Sequence, residues 1–359
     1  MKIEQMQWLI VSFILLPLLY WKSQDYSQSI AFMSFPIVFL GYSIKNKWLG
    51  YFLIWSVIST AFYQFHIVQW ESLCFIFSGA LLYYIFSKHI ESYYVYKWIW
   101  ILVLINCIFL VFQYFNIDPI WEYHSSSPTK EIVKDRLVGI MSWQNHLGMF
   151  GAMTLPLAIS RNRFMVLPCI LLIYVSQSII CIIASIISTS GYFLDYFKLM
   201  VEKGKGYIPL LIFGILSIII LLNCNNKTFS IIKEKLKIRG SIYYDTLQGS
   251  FKKPIYGYGC GSWKTAKFRQ RPTTSPTHKL YYDKLNCQYL RIFFEHGLIG
   301  LILIAGLIYD FFRSYSKRTK HIFYSLLSLL IIGIFQDPMN FPRISGFSII
   351  LYSIYNKEN

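Results

Sequence analysis

Blocks of about 15 to 20 apolar residues recur along the chain and are separated by short polar segments. A helix that crosses a membrane needs about 20 predominantly apolar residues, so these blocks predict transmembrane helices. The expected fold class is an all-α polytopic membrane protein with about 12 spans. The predicted spans are residues 6–20, 28–44, 48–65, 71–87, 97–116, 145–160, 164–178, 179–197, 207–223, 288–311, 321–336 and 343–356.

The composition excludes an ordinary soluble protein. Of the 359 residues, 55% are hydrophobic and 14% are charged, whereas an average soluble domain has about 25% charged residues. The formal net charge is +17, and its distribution along the chain is informative about topology. Nucleic acid is not an expected partner.

Basic residues are concentrated in alternate connections between the predicted spans. These residues are Lys45, Lys47, Lys88, Arg161, Arg163, Lys198, Lys203, Lys205, Arg313, Lys317, Arg318 and Lys320. Connections rich in lysine and arginine face the cytoplasm. Both termini are then expected in the cytoplasm, and the connections 21–27, 66–70, 117–144, 224–287 and 337–342 are expected to face outward.

Three regions follow from this topology. Residues 1–223 are expected to form transmembrane helices 1 to 9, and residues 288–359 helices 10 to 12. Between them, residues 224–287 form a basic outward loop domain with 13 lysine or arginine residues against three acidic residues. Within this domain, apolar residues at helical spacing from Arg239 to Phe251 predict an amphipathic helix that lies against the bilayer.

Residues 164–197 are predicted to form two spans that turn near Ser176, Gln177 and Ser178. The alternative is one long helix. That alternative would place the basic 313–320 connection outside the membrane, against the charge rule, so two short helices are favoured.

A glycine-rich stretch, Gly257-Tyr258-Gly259-Cys260-Gly261, follows the predicted amphipathic helix. Without a preceding strand or a terminal Gly-Lys-Ser/Thr, it is not a nucleotide-binding loop. A tight turn is the favoured interpretation, and close approach to a ligand phosphate is the alternative. Cys260 is expected to be a free thiol, as are Cys224 and Cys287, although one disulfide among the three remains open.

An enzyme that faces outward has no ATP or nucleotide sugar, so a lipid-linked glycan on a polyprenyl pyrophosphate is the expected activated substrate. Arginines at the outer membrane edge would bind its pyrophosphate through charge-assisted, bidentate hydrogen bonds. The candidates are Arg136, Arg239 and Arg291. The alternative for each is a side chain that only anchors its segment at the membrane interface.

Gln288, Arg291 and Glu295 form one polar stripe on an otherwise apolar predicted helix. Ionisable groups inside a span are costly, so this stripe is a candidate functional site. The alternative is a simple salt bridge between Arg291 and Glu295 within the helix. No histidine or cysteine spacing typical of a metal site occurs, and neither a metal nor a cofactor is expected.

Three stretches between residues 136 and 300 share their order and spacing with a known family. They are Arg136-Leu137-Val138-Gly139 with Asn145-His146-Leu147-Gly148 and Pro156, then Arg239 with Lys253-Pro254-Ile255-Tyr256-Gly257-Tyr258-Gly259, and finally Tyr289-Leu290 with Glu295 and Gly297-Leu298-Ile299-Gly300. The combination resembles the O-antigen ligase and polymerase family of bacterial membrane glycosyltransferases. Two family positions differ, because Asn286 and Cys287 stand where the family has His-Asn, and Gln177 stands where it has an arginine.

The resemblance implies a C-type glycosyltransferase in the bacterial inner membrane. Such an enzyme transfers glycan from undecaprenyl pyrophosphate to an acceptor hydroxyl on the outer face. Arg136, Arg239 and Arg291 would stabilise the leaving pyrophosphate. The candidate catalytic residues are Glu295, Asp283 and His278 as bases and Asn286 as a group that orients the hydroxyl. Tyr289, Gly257 and Gly259 would shape the acceptor site.

The missing family histidine favours a polysaccharide polymerase over an O-antigen ligase, which transfers glycan to lipid A core. A polysaccharide flippase is the third alternative, although a transporter needs polar residues spread through several spans. Expected partners are the lipid-linked oligosaccharide, membrane lipid and a chain-length regulator protein.

Overall fold

The computed structural model describes residues 46–61, 67–88, 90–115, 137–141, 144–201, 226–265, 285–338 and 342–359. Within these ranges the chain is helical, without a β-strand. The α-helices there are α1 (Lys47–Ala61), α2 (Ile67–Lys88), α3 (Ser92–Tyr114), α4 (Gln144–Arg161), α5 (Val166–Ser176), α6 (Ile179–Val201), α7 (Asn226–Lys252), α8 (Gln288–Arg313), α9 (Lys320–Phe335) and α10 (Pro342–Glu358).

Each predicted span that falls on described residues is a helix, which confirms the all-α prediction for that part of the chain. By length and composition, α3 and α8 are long and apolar enough to cross a membrane, and they are the two such helices among the described residues. The predicted spans 6–20, 28–44 and 207–223 lie outside those residues. The total of about 12 spans therefore stays a prediction.

One predicted connection is mostly helix. Residues 66–70 were expected to link two spans, but α2 already begins at Ile67. This short segment contains neither proline nor glycine, so nothing in it prevents the helix from starting one turn earlier.

The division between α5 and α6 confirms the predicted pair of short helices. Gln177 ends α5 in the left-handed conformation, with φ 49° and ψ 22°. The Ser178 backbone N–H donates to Ser176 Oγ at 3.3 Å, which supports the turn. The chain therefore reverses here instead of continuing as one long helix.

The core is built around α4, whose residues from His146 to Ala158 are all buried. This helix packs against α5, α6 and α9. Ser328 of α9 crosses this interface and donates to Ser188 Oγ at 2.7 Å. The helix is buried on every side, which agrees with a sequence that has no separate polar face.

Among the described residues, basic connections meet at one end of the helical bundle. There Lys357 Nζ donates to the Ile90 carbonyl at 3.0 Å, and Arg161 Nη2 lies 3.9 Å from Glu358 Oε2. Tyr96 Oη and His321 Nε2 are 2.9 Å apart at the same end. These contacts bring together the segments that follow α2 and α4, the start of α9 and the C-terminus.

Connections of the opposite predicted orientation meet at the other end. Gln336 Nε2 donates to Ser178 Oγ at 3.3 Å, and the Gln288 N–H donates to the Gln336 carbonyl at 3.2 Å. The end of α9, the turn between α5 and α6 and the start of α8 are thus neighbours. The candidate site lies at this end.

Helix α7 differs from its prediction in both length and orientation. It begins at Asn226, well before Arg239. Ile242, Thr246 and Ser250 are buried, whereas Leu247 and Phe251 are exposed. Ile242 packs against protein, in a cluster with Trp263 and residues next to α8. The set of residues predicted to face the bilayer is therefore split between two faces of the helix.

Candidate functional site

The glycine-rich turn after α7 is joined to α8 by backbone hydrogen bonds. The N–H groups of Tyr258 and Gly259 donate to the carbonyls of Phe294 and Glu295, at 3.0 Å and 2.8 Å. In the reverse direction, the Leu298 N–H donates to the Pro254 carbonyl at 2.7 Å. Two of the three resembling stretches are therefore in direct contact.

Helix α8 can make these bonds because it is broken at Gly297, with φ 65° and ψ −163°. This break frees carbonyls that a continuous helix would use internally. Gly257 lies so close to the α8 backbone that a Cβ on it would be 2.5 Å from the Glu295 carbonyl. A Cβ on Gly297 would likewise collide with the Ile255 carbonyl. Both positions have positive φ, so both need glycine.

These contacts favour the tight-turn interpretation of the glycine-rich stretch. Gly257, Gly259 and Gly261 all have positive φ, between 70° and 86°. The amides of Tyr258 and Gly259 are used by α8 carbonyls, so they do not point at a ligand phosphate.

Arg291 is held between two carboxylates. Its Nε donates to Glu295 Oε1 at 3.0 Å, and its Nη1 donates to Asp337 Oδ2 at 2.9 Å. The side chains of Arg291, Glu295 and Asp337 are 13%, 5% and 2% exposed. The arrangement contains the Arg291–Glu295 salt bridge that was the alternative interpretation of the sequence. Asp337 adds a second acid to it.

Asp337 was not singled out from the sequence. It directly follows Gln336 at the end of α9, at the same end of the bundle as the start of α8. An available signal was its position as an acidic residue at the outward edge of an apolar span, the same criterion that selected Arg291. A phosphate that used Arg291 would have to compete with both carboxylates, since the guanidinium is already shared between them.

A second group of buried polar side chains adjoins Glu295. Donor atoms of Cys260, Glu295 and His296 all lie within 4.8 Å of one another. The residues are 2%, 3% and 2% exposed, respectively. Sequence spacing predicted no metal site, because Cys260 is distant in sequence from the Glu295-His296 pair and only the turn contact brings them together.

The His296 ring is held by neighbours from α1. Its Nδ1 lies 3.3 Å from Ser59 Oγ, and its ring packs at 5.1 Å from the Phe52 ring. Trp55 Nε1 donates to the His296 carbonyl at 2.8 Å. Thr60 Oγ1 accepts from the Cys260 N–H at 3.0 Å, so α1 supports both residues.

Asn286 and Tyr289 lie at the start of α8. Asn286 has a positive φ of 56°, and its carbonyl accepts from Tyr243 Oη at 2.6 Å. Burial raises the pKa of Tyr243 to about 12, an effect that Cys287 adds to and Arg239 opposes. Arg239 is thus near this end of α8. Tyr289 Oη donates to the Leu330 carbonyl at 3.0 Å and attaches α8 to α9.

The remaining predicted site residues, Arg136, Asp283 and His278, lie outside the described residues. The segment directly after Arg136 is described. Gln113 Oε1 accepts from the N–H groups of Val138 and Gly139, both at 2.9 Å. The Gln113 side chain of α3 therefore fixes the chain just after the predicted phosphate-binding arginine.

Cys260 and Cys287 form no disulfide with a described residue, as expected, and Cys224 lies outside the described residues.

Models of protein families give no match to this sequence, and no curated protein is significantly similar to it.

Proposed function

We propose that this protein polymerises polysaccharide repeat units at the outer face of the bacterial inner membrane. In this reaction an acceptor hydroxyl attacks the anomeric carbon of a glycan carried on undecaprenyl pyrophosphate. The bond from that carbon to the pyrophosphate oxygen breaks, and the acceptor proton passes to a base or to water. The proposal rests on the family resemblance and on the placement of its residues.

The observation that carries the proposal is the contact between the turn at Gly257 and the broken helix at Gly297. These are two stretches of the resemblance, separated in sequence by about 40 residues. Their glycines approach so closely that neither position accepts a Cβ without movement of backbone. A shared, sterically demanding contact explains why both glycine motifs occur in one chain.

Contacts of the described residues support the assignment of roles. Arg291 already donates to two carboxylates, and Arg136 immediately precedes a segment held by Gln113. We assign the leaving pyrophosphate to Arg136 and Arg239, because charge-assisted hydrogen bonds stabilise the charge that develops on it. Arg291 is assigned to hold Glu295 in place, and its contact with the pyrophosphate remains the alternative.

Glycan laddering tests this function. Lipid-linked and surface glycans would be compared by gel in cells with and without the gene. Loss of long chains, with single repeats still attached to the surface lipid, is the result expected for a polymerase. Accumulation of long chains on the carrier lipid would instead identify a ligase. An unchanged ladder would contradict both, and glycan translocation by the reconstituted protein would identify a flippase.

Arg136→Ala and Arg239→Ala should each give the ladder of the deletion strain at normal membrane expression. The matched control is Arg163→Ala, an exposed arginine in the basic connection after α4. This control should complement fully. Full complementation by both site variants would refute the assignment of the pyrophosphate to these arginines.

A further inference from the structure

Cys260, Glu295 and His296 contribute three side chains of the types that bind transition metals. Their donor atoms are within 4.8 Å of one another and the residues are buried. In a tetrahedral zinc site, bonds of about 2.0 to 2.3 Å place the donor atoms about 3.3 to 3.8 Å apart. Side-chain movement of about 1 Å would therefore bring the three donors to coordinating distance.

The backbone holds these residues in register. The Gly259 N–H donates to the Glu295 carbonyl at 2.8 Å, one residue before Cys260. On the other side of Cys260, its own N–H donates to Thr60 Oγ1 at 3.0 Å. The cysteine is thus positioned against the Glu295-His296 pair by main-chain contacts as well as by packing.

Further side chains surround the three donors in the way that supports metal ligands. Ser59 Oγ donates to the Ser56 carbonyl and lies 3.3 Å from His296 Nδ1, so Nδ1–H can donate to it and Nε2 is the nitrogen left to coordinate. Arg291 donates to Glu295 Oε1, which leaves the second carboxylate oxygen for a metal. Metal-bound histidines and carboxylates normally have such hydrogen-bonding partners.

We propose that Cys260, Glu295 and His296 bind one transition-metal ion, with Zn²⁺ as the best-matched ion. Thiolate, imidazole and carboxylate are the ligands that zinc uses in proteins. Binding replaces the thiol proton of Cys260, which is released to solvent. Three protein ligands leave a fourth coordination position for water or another oxygen ligand.

Local charge favours a divalent ion. Arg291 offers one positive charge to the two carboxylates that it contacts. Arg291, Glu295 and Asp337 together carry one net negative charge when both acids are ionised. A divalent cation with the Cys260 thiolate adds one positive charge, which balances it. The metal would then attach the glycine-rich turn to α8 and stabilise the contact between them.

This inference does not depend on the proposed function. If Glu295 is a ligand, it is not a free base, and the acceptor proton must go elsewhere. Metal binding is measured without any glycan, so the two proposals can fail separately.

Cobalt substitution provides the test. Full-length protein purified in detergent would be stripped with a chelator and titrated with Co²⁺ while its absorption is recorded. One equivalent per chain should produce a thiolate-to-cobalt charge-transfer band, and Zn²⁺ should abolish it. The band should be lost in Cys260→Ser and the apparent affinity reduced at least about tenfold in His296→Gln, as expected for loss of a ligand or its support.

The matched control is Cys287→Ser, a half-buried thiol at the N-terminal end of α8, which should leave the band unchanged. A wild-type protein without the band, or a band that persists in Cys260→Ser, would overturn the proposal. X-ray absorption spectroscopy of the zinc-loaded wild type identifies the ligand atoms and their distances without any variant. It should show one sulfur at about 2.3 Å, and purely nitrogen and oxygen ligation would also overturn the proposal.

Discussion

At the scale of single residues, the candidate site is organised around Arg291. Its guanidinium is planar and presents separate N–H groups, so it can serve Glu295 and Asp337 at once. The two acids, Glu295 and Asp337, are about 40 residues apart in the sequence. The arginine therefore joins α8 to the end of α9 as well as neutralising charge.

Replacing Arg291 should be far more harmful to stability than replacing Asp337. Arg291→Met leaves two buried carboxylates without their cation, which should cost about 3 to 5 kcal/mol. Asp337→Asn keeps the shape and leaves the Arg291–Glu295 pair intact, so a loss of about 1 to 2 kcal/mol is expected. Unfolding of the purified protein in detergent measures both. Equal losses of unfolding free energy in the two variants would argue against an Arg291 that serves both carboxylates.

Tyr243 gives a pH-dependent signature at the same end of α8. Its pKa is raised from 10.0 to about 12 by burial, so the folded protein favours the neutral phenol. The resulting stability is present below pH 10 and is lost as the pH rises from 10 towards 12. Wild type should therefore lose stability more steeply than Tyr243→Phe over this range.

Thermal unfolding in detergent across this alkaline range measures the difference. Tyr244→Phe, which removes a hydroxyl from an exposed neighbour, is the control and should follow wild type. Parallel curves for wild type and Tyr243→Phe would contradict the expected linkage.

At the scale of elements, the main feature is the interruption of helix α8 by the non-helical backbone of Gly297. The break in α8 at Gly297 exposes carbonyls, and the turn after α7 supplies the N–H groups that satisfy them. Buried backbone groups need partners, so neither the break nor the turn is stable without the other.

Gly257→Ala should disrupt this contact. The added Cβ would lie 2.5 Å from the Glu295 carbonyl at a backbone conformation that alanine disfavours. We expect a loss of at least about 2 kcal/mol, from strain combined with displaced hydrogen bonds. Gly240→Ala is the control, because a Cβ there meets nothing within 4 Å in helix α7. That control should be neutral or stabilising by up to about 1 kcal/mol.

The comparison is made by unfolding the two variants and wild type in the same detergent. Equal stability of Gly257→Ala and Gly240→Ala would show that the turn does not need glycine.

At the scale of the whole molecule, the described helices separate the basic connections from the candidate site. Arg161, His321 and Lys357 take part in contacts at one end of the bundle. Arg291 and Asp337 lie at the other. The charge rule predicts that the basic end faces the cytoplasm and that the site faces outward.

Cysteine labelling tests that orientation. Lys252→Cys at the end of α7 and Lys317→Cys between α8 and α9 replace two exposed lysines at opposite predicted faces. A membrane-impermeant maleimide applied to intact spheroplasts should label the first variant and not the second. Both should be labelled after permeabilisation, which controls for reactivity. The reverse pattern would invert the topology.

The sequence by itself determined the helical class and most helix positions, because both follow from local patterns. An apolar block at Ser92–Tyr114 is helical in a membrane-like setting whatever it packs against. Even the division between α5 and α6 was predicted from hydrophobic length and loop charge. The Arg291–Glu295 contact was foreseeable for the same reason, since residues four apart in a helix are neighbours.

Only the tertiary structure decided which distant residues meet. Asp337 joins Arg291, and Cys260 joins Glu295 and His296, through contacts that no spacing rule contains. Which face of α7 is buried also depends on the tertiary structure. An amphipathic stripe shows that a helix has an apolar side, but it does not show whether protein or lipid covers that side. The physical reason is common to these cases: local propensity acts through neighbours in sequence, whereas a site depends on packing between helices that are far apart in the chain.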